Sequence, residues 1–472
     1  MRATPRRPIL VAFCMLLLGA SAGTGTHAAA TGCGPGDRPE TGPSGQVPLA
    51  DQLSGRSAEG YSCNLGLIGS SDLGSGGDTQ MTWYGDCAYR VVPTGSGDGV
   101  AVVDLANPAE LQLVSVLHEL EWNGRGGVLG IHEGIHASAS RGILVVPIGT
   151  MLTTYDISGD CRSPQLVSHF DFGFPSEPFK GPAFQGAGIH SGQLSPEGTF
   201  YYATDIGNGA VSPTGPCLTI VDLAELANPK LVMRWGDEFP CHDLDFNADG
   251  TRAYVGFYAS LAGHPSAVVG AFTPVVQPAH LLSGLRILDT SVVQARAADP
   301  VITVLGELTG GRQHTETFTR IGGRSYVVAA EEGFCPGGNA RIVDVTDERH
   351  PVEVSELMLD VNRLPGCLAA QADLDAGSNL LLYMSHYVSV DDPADASLAF
   401  ISWYGSGLRV FDIRDPYHPR EVAYFNPPVA GSDRVHDSTT TYPRYIPETG
   451  TVWIGSAVNA LSVLSLDPSL RP

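Results

Sequence analysis

Three histidines recur at the same place in successive segments of this 472-residue chain. His190, His242 and His314 each stand eight residues before a glycine in a segment typical of a β-turn. Side chains alternate between the two sides of a β-strand, so an equal distance to the turn places all three on equivalent sides. Several neutral imidazoles that converge in this way could enclose a copper or iron ion. The spacing therefore predicts a transition-metal site.

Two further histidines could complete this site. His136 precedes Gly142 by six residues, which gives the same parity as the other three. His436 opens the predicted last inner strand, although a longer turn leaves its register open. The predicted metal ligands are His190, His242, His314, His436 and His136.

Two other roles remain open for these histidines. They could be structural groups of a repeat that bond a neighbouring backbone or the next carboxylate, as in His242-Asp243. They could also act as acids or bases without a metal, in a lyase that uses His and Tyr. If a metal binds, nearby carboxylates could orient the histidines. The candidates for that role are Glu133, Glu316, Glu331 and Glu332.

Two known metal motifs fit less well. Residues 132–136 read HEGIH, which matches the zinc-protease pattern, but Gly134 and the strand-like segment that follows argue against the helix it needs. Residues 245–250 read DFNADG like the start of a calcium loop, yet position twelve is Gly256 instead of a glutamate. We expect a strand at the first motif and a hairpin turn at the second, so calcium is disfavoured.

An internal repeat supplies the elements that position these residues. In each copy an apolar strand ends in an aspartate, a short loop leads to a proline, and a second apolar strand follows. Copies 52 to 68 residues apart, each with room for about four short strands, predict the blades of a β-propeller. The repeated aspartates are Asp104, Asp156, Asp222, Asp289, Asp344 and Asp412.

The six copies and the two ends of the chain together predict an all-β, seven-bladed propeller. The C-terminal segment supplies inner and middle strands for a last blade, and residues 62–69 supply an outer strand that closes it. Closure of this kind leaves no blade with an open edge. Six and eight blades are the alternatives.

The repeated strand resembles the LVIVD-repeat family, whose consensus matches TIVDL, RIVDV and AVVDL in this chain. The resemblance covers most of the chain and implies a β-propeller, usually seven-bladed. Selenium-binding and methanethiol oxidase propellers look distantly similar. Carotenoid-cleaving oxygenases hold iron, and nitrous oxide reductase holds copper, through rings of histidines on the same fold, which is an analogy of fold and residue type.

The N-terminus predicts export. Residues 1–30 combine early arginines, an apolar run and small residues, as in a secretory signal peptide. A lipoprotein signal ending at Cys33 is a weaker alternative. Residues 31–60 are rich in Gly, Pro and Ser and predict a flexible lead-in, while residues 61–472 predict a single propeller domain. No other apolar run is long enough to cross a bilayer.

The net charge limits the classes of partner that the sequence predicts, and the cysteine content indicates the compartment. The formal net charge is −23, and it becomes −26 without Arg2, Arg6 and Arg7 of the predicted signal. Nucleic acid and anionic membranes are therefore disfavoured. Eight cysteines remain after the signal, an even number that predicts disulfides in a secreted or cell-surface protein without fixing their pairing.

The sequence thus favours an exported propeller that binds copper or iron and could be a metal-dependent oxidoreductase. The alternative is a non-catalytic extracellular module. In either case the partner is a small molecule, glycan or protein on the face where long loops are predicted. Those loops are residues 121–131, 172–187, 208–217, 259–284, 389–405 and 425–433.

Overall fold

The computed structural model describes residues 32–74, 76–77, 80–94, 97–118, 133–148, 150–173, 189–204, 216–236, 241–257, 283–311, 313–333, 336–374, 383–429 and 436–472. Its strands form seven antiparallel blades, so the predicted seven-bladed, all-β propeller is confirmed. The predicted signal peptide, His132, Cys335 and most of the predicted long loops lie outside the described residues.

The strands are short, and most have five to eight residues. In chain order they are β1 Tyr61–Cys63, β2 Leu65–Ser71, β3 Met81–Tyr84, β4 Cys87–Thr94, β5 Gly97–Asp104, β6 Gln112–Leu117, β7 His136–Ser138, β8 Ile143–Ile148, β9 Met151–Asp156, β10 Gln165–Asp171, β11 Ser191–Leu194, β12 Phe200–Thr204, β13 Leu218–Asp222, β14 Lys230–Trp235, β15 Cys241–Phe246, β16 Arg252–Phe257, β17 Gly284–Asp289, β18 Thr303–Thr309, β19 Gln313–Ile321, β20 Arg324–Glu331, β21 Ala340–Asp344, β22 Val352–Leu357, β23 Tyr387–Val390, β24 Leu398–Ser402, β25 Leu408–Asp412, β26 Arg420–Asn426, β27 Arg444–Ile446, β28 Thr451–Ile454 and β29 Leu461–Leu466.

Few helical turns accompany the strands in the described part of the chain. The α-helical segments are Leu49–Ser54, Ser291–Gln294 and Gly366–Leu374, and the 3₁₀ segments are Arg56–Glu59, Asp360–Asn362 and Pro468–Leu470. None of these helices is long and apolar enough to span a membrane.

Each blade runs from an inner strand at the axis to an outer strand. Blades 1 to 6 contain β3–β6, β7–β10, β11–β14, β15–β18, β19–β22 and β23–β26, and blade 7 contains β27–β29. On the outer edge of blade 7, β2 pairs with β29, from Leu65 opposite Leu466 to Ser71 opposite Leu461. Next to it, β1 adds a fifth strand to blade 6 by pairing with β26.

The core lies between neighbouring blades. Middle strands such as β8 and β12 are buried on both faces, which explains their continuous apolar sequences. Seven apolar clusters among the described residues each join two adjacent blades, and one of them joins blade 7 to blade 1. The packing therefore continues around the whole ring.

The repeated aspartates have the structural role that their position predicts. Each accepts a hydrogen bond from the amide two residues further on, at 2.7 to 3.1 Å, and so holds the loop between the third and fourth strands. Asp104 also binds Arg162 of the next blade. These carboxylates belong to the scaffold. They are the last residues of β5, β9, β13, β17, β21 and β25.

Three disulfides join described residues: Cys33–Cys63, Cys87–Cys161 and Cys217–Cys241. They indicate an oxidising compartment.

Residues 32–60, predicted as a flexible lead-in, contribute Val47 to the core between blades 5 and 6. The same segment places Glu40 against the fully buried Arg409.

One sequence prediction about the blade ends is wrong. Residues 389–405, predicted as a long loop on the binding face, instead contain β24 and the β23–β24 turn. Trp83 lies near the end of β3, beside Arg444 of blade 7.

Candidate metal centre

Four histidines from four consecutive blades meet at the axis. They stand directly before the first residue, or at the second residue, of the inner strands of blades 3 to 6. Neighbouring rings are in contact, with centroid separations of 4.4, 3.8 and 4.3 Å around the series. In blade order they are His190, His242, His314 and His386.

Two of these side chains are placed by β-bulges. In blade 4 the pairing passes from Cys241 opposite Phe257 to Leu244 opposite Val255, so His242 and Asp243 together face Gly256. In blade 5 the register shifts in the same way at His314. A bulge redirects the side chain of the extra residue, which here carries each imidazole to the axis.

Glu133 lies at the centre of the four histidines. It precedes β7 in blade 2 and is 4% exposed. Its Oε2 is 3.4 Å from His314 Nε2, 3.5 Å from His190 Nε2 and 3.9 Å from His242 Nδ1. Its Oε1 is 3.3 Å from His386 Nε2. One carboxylate therefore contacts imidazoles from all four blades.

A second carboxylate borders the cluster. Glu332 follows β20, and its Oε1 lies 3.6 Å from His314 Nε2 and 3.9 Å from His386 Nε2. The Tyr404 hydroxyl donates a 2.8 Å hydrogen bond to the same oxygen. The Tyr404 ring also stacks on His386 with centroids 4.3 Å apart, so this tyrosine holds both a histidine and a carboxylate in place.

Burial and neighbouring charges shift the pKa values of the side chains in the cluster. Burial acts to raise the pKa of Glu133, but the charge of His314 and the proximity of His190 hold that pKa well below its usual value. Burial acts to lower the pKa of His314, but Glu332 and Glu133 outweigh it and raise the pKa to about 9. Burial and the charge of His314 lower the pKa values of His242 and His386. Thus the metal-free cluster holds carboxylates beside one imidazolium and neutral imidazoles.

Below the cluster a tyrosine crosses the axis. Tyr442 comes from blade 7, and its hydroxyl donates a 2.7 Å hydrogen bond to Asp243 of blade 4. Tyr387, which is fully buried next to His386, packs against the Tyr442 ring at 4.3 Å. Ser191 completes this layer by donating to the other oxygen of Asp243. These side chains fill the axis on one side of the histidines.

The described part of the chain contains three sets of residues at this centre whose ligand atoms lie within 4.8 Å of one another. Each set combines two histidines with one glutamate. Glu133 Oε2 and His314 Nε2 are buried and make no hydrogen bond of ordinary geometry there, which a bound cation would remedy. The sets are Glu133/His314/His386, Glu133/His190/His242 and His242/His314/Glu332.

The structure brings together His190, His242 and His314 as their spacing predicts. His136 starts β7 and belongs to none of the three sets, because its ring faces Tyr442 with centroids 6.3 Å apart. His436 is also outside them, since β27 begins eight residues later at Arg444 and not at His436. Metal ligation by any of these histidines stays a prediction.

Sequence reasoning missed His386 as a site residue and gave Glu133 only a supporting role. The turn after β23 has no glycine, so the count that united the other histidines does not apply to His386. Its position directly before a four-residue strand was the available signal. Glu133 precedes Gly142 by nine residues, an odd number, whereas the histidines precede their turn glycines by even numbers. It also lies before β7, so the alternation of side chains along the strand could not predict its orientation.

The weaker motifs are hairpins and strands. His136 belongs to β7, so the zinc-protease helix is not formed there. Residues 247–251 form the turn between β15 and β16, and Asp249 accepts hydrogen bonds from the amide and hydroxyl of Thr251. Glu331 pairs with Arg341.

Comparison with known proteins shows the fold. No protein-family model matches the chain, and no curated protein sequence matches it. The resemblance to LVIVD repeats therefore depends on the repeated strand alone. The periplasmic gluconolactonase PpgL of Pseudomonas aeruginosa is 12% identical, with 86% of this chain and 93% of that chain covered and a TM-score of 0.50. The Cps50 (Swd1) β-propeller domain of Myceliophteria thermophila is 12% identical, with 83% and 97% covered and a TM-score of 0.48. The chain is a β-propeller.

Proposed function

We propose that this protein is an exported, iron-dependent oxidoreductase that acts on a small molecule at the axial cluster. The observation that carries the proposal is the composition of the three sets of ligands. Each has two histidines and one glutamate, the combination that non-haem iron enzymes use with open coordination positions.

The donor set favours iron over the other metals considered. Copper is well served by imidazole but gains less from the two carboxylates, Glu133 and Glu332. Zinc also accepts two histidines and a glutamate, in which case the same residues would support hydrolysis. Iron would supply one-electron and oxygen chemistry to a bound substrate.

The residues around the cluster have separate roles in this proposal. Tyr404 orients Glu332 and His386 through its hydroxyl and its ring. Tyr442 spans the axis next to the histidines through its hydrogen bond to Asp243. The side chains of His190 and Glu332 are the more exposed members of the cluster, at 12% and 18%. We infer that a small molecule approaches from their side.

Export is part of the proposal. The N-terminal 30 residues have the composition of a signal peptide, and three disulfides indicate an oxidising compartment. Iron would then have to be acquired during or after export. A partner protein or glycan on the loop face belongs to the competing hypothesis of a binding module.

The test is metal content, measured by mass spectrometry on protein purified after export without chelators. We expect near-stoichiometric iron in the wild type and its loss in His314→Ala and Glu133→Ala. His350→Ala is the matched control, because His350 is exposed in a loop and bonds only Asp347 among the described residues.

Three outcomes would favour other functions. A folded wild type without metal after iron, copper and zinc have been supplied would leave the histidines as structural groups of a binding module. Turnover of a polysaccharide by that metal-free protein would instead support a lyase. Stoichiometric zinc would keep the site and replace oxidation by hydrolysis.

A further inference from the structure

The two oxygens of Glu133 face different histidines. Oε1 contacts His386 Nε2 at 3.3 Å, whereas Oε2 lies 3.5 Å from His190 Nε2. Two of the three ligand sets include Glu133 and share no other residue. Among the described residues, no set contains both His190 and His386. A single ion in the present arrangement therefore cannot be a common neighbour of both histidines, whereas Glu133 is.

One half of the cluster is enclosed and has the spacing of a metal site. The Nε2 atoms of His314 and His386 lie 3.4 and 3.3 Å from Oε2 and Oε1 of Glu133, and all three side chains are 5% exposed or less. Bonds of about 2.0–2.1 Å in a tetrahedral site place neighbouring ligand atoms about 3.4 Å apart. Glu332 lies 3.6 and 3.9 Å from the same two histidines but forms a set with His242 and His314, without Glu133. Three protein ligands are therefore already at nearly the required separations.

The other half has three protein ligands and an exposed side. The Nε2 atoms of His190 and His242 lie 2.8 Å apart, and Glu133 Oε2 is 3.5 Å from the first of them. The side chain of His190 is 12% exposed, while His242, His314 and His386 are 3% exposed or less. Three protein ligands with a free position on the accessible side are typical of a catalytic ion.

We propose that the axial cluster is a two-metal centre in which the Glu133 carboxylate bridges the ions. The inner ion is held by Glu133, His314 and His386. The outer ion is held by His190, His242 and Glu133 and keeps a position for substrate. The inference rests on the proposed function, because it assumes that the cluster binds metal at all. Ions joined by one carboxylate lie about 3.5–4 Å apart in other two-metal sites.

Cobalt(II) is a suitable probe because its visible absorption is strong with four ligands and weak with five or six. The exported protein is stripped with chelator, titrated with Co(II), and analysed for ions per chain and for absorbance. We expect two ions per chain in the wild type. The variants His190→Ala/His242→Ala and His314→Ala/His386→Ala should each keep one ion, because each retains one of the two sets that share Glu133.

The exposed pair His350→Ala/His418→Ala is the control and should bind as the wild type does. Circular dichroism establishes that each variant is folded, and the wild-type stoichiometry alone tests the proposal if a variant is not. Saturation of the folded wild type at one ion per chain would overturn the two-metal centre and leave the proposed metal site standing. Binding of no ion would overturn both.

Discussion

His190 and His242, which come from neighbouring blades, point their Nε2 atoms at each other across 2.8 Å. One ring must donate the proton of this hydrogen bond and the other must accept it, so at least one lone pair is already directed at the shared space. Two imidazoles bound at right angles to one ion, through bonds of about 2.0–2.1 Å, have similar separations. Metal binding there replaces a hydrogen bond and needs little movement of either strand.

The disulfide between Cys217 and Cys241 should support metal affinity, because Cys241 directly precedes His242. Both sulfurs are buried, and the bond fixes the start of the strand that carries the histidine. We expect Cys217→Ser/Cys241→Ser to lower stability by about 3 kcal/mol and to weaken metal binding. Isothermal titration calorimetry and thermal unfolding measure the two effects.

The matched control for that variant is Cys33→Ser/Cys63→Ser, which opens a disulfide of the N-terminal segment far along the chain from the histidines. It should lower stability and leave metal affinity unchanged. Equal loss of affinity in both variants would show that the first effect is general destabilisation.

Removal of the Tyr404 hydroxyl should weaken metal binding. Tyr404→Phe keeps the ring on His386 and deletes the hydrogen bond to Glu332, so we expect a loss of about tenfold in affinity. Tyr387→Phe is the control, because this ring also contacts His386 but its buried hydroxyl has no hydrogen-bond partner in the described structure. If the two variants bind metal equally, Tyr404 does not position Glu332.

A methyl group at Gly256 should disturb the bulge beneath His242. A Cβ there would lie 2.4 Å from Glu316 Oε1 and 2.8 Å from the carbonyl oxygen of Gln313, next to His314. We expect Gly256→Ala to cost about 1–3 kcal/mol of unfolding free energy and to reduce metal affinity. Chemical denaturation and metal titration test this.

Gly159→Ala provides the comparison, since nothing lies within 4 Å of a Cβ at that exposed turn. This change should leave the unfolding free energy and the metal affinity unaltered. A wild-type-like Gly256→Ala would mean that the neighbouring strand yields easily and that the bulge tolerates a side chain.

Asp245 should make stability fall as pH rises. Burial raises the pKa of its carboxyl to about 7, although Phe318 donates its amide to it. The unfolded chain loses this proton near pH 4 and the folded chain keeps it to about pH 7. The stabilisation is therefore complete below pH 4 and is lost as pH rises through 7. Asp245→Asn should flatten the dependence, as thermal unfolding at pH 5 and pH 8 would show.

Asp249, in the same hairpin, serves as the control of opposite sign. Hydrogen bonds from Thr251 lower the pKa of its carboxyl, so its contribution is present above the unfolded pKa and declines as pH falls. Asp249→Asn should therefore leave the change between pH 5 and pH 8 as in the wild type. A flat profile in that variant would point to another group.

The repeat and the glycine spacing were sufficient to predict the architecture and three of the four axial histidines. They were sufficient because His190, His242 and His314 each stand eight residues before a turn glycine with a positive φ, although the turns differ in length. His386 precedes a turn that has no glycine. The bulges at His242 and His314 depend on pairing with the next strand, which a single sequence does not display. The central position of Glu133 depends on the path of the chain before β7 and follows from no periodicity.

The hydrogen bond from Tyr442 to Asp243 also limits passage along the axis. It joins blade 7 to blade 4, so these two side chains obstruct the axis at that level in the described part of the chain. A small molecule that reaches the histidines from the side of His190 and Glu332 would therefore leave by the same side.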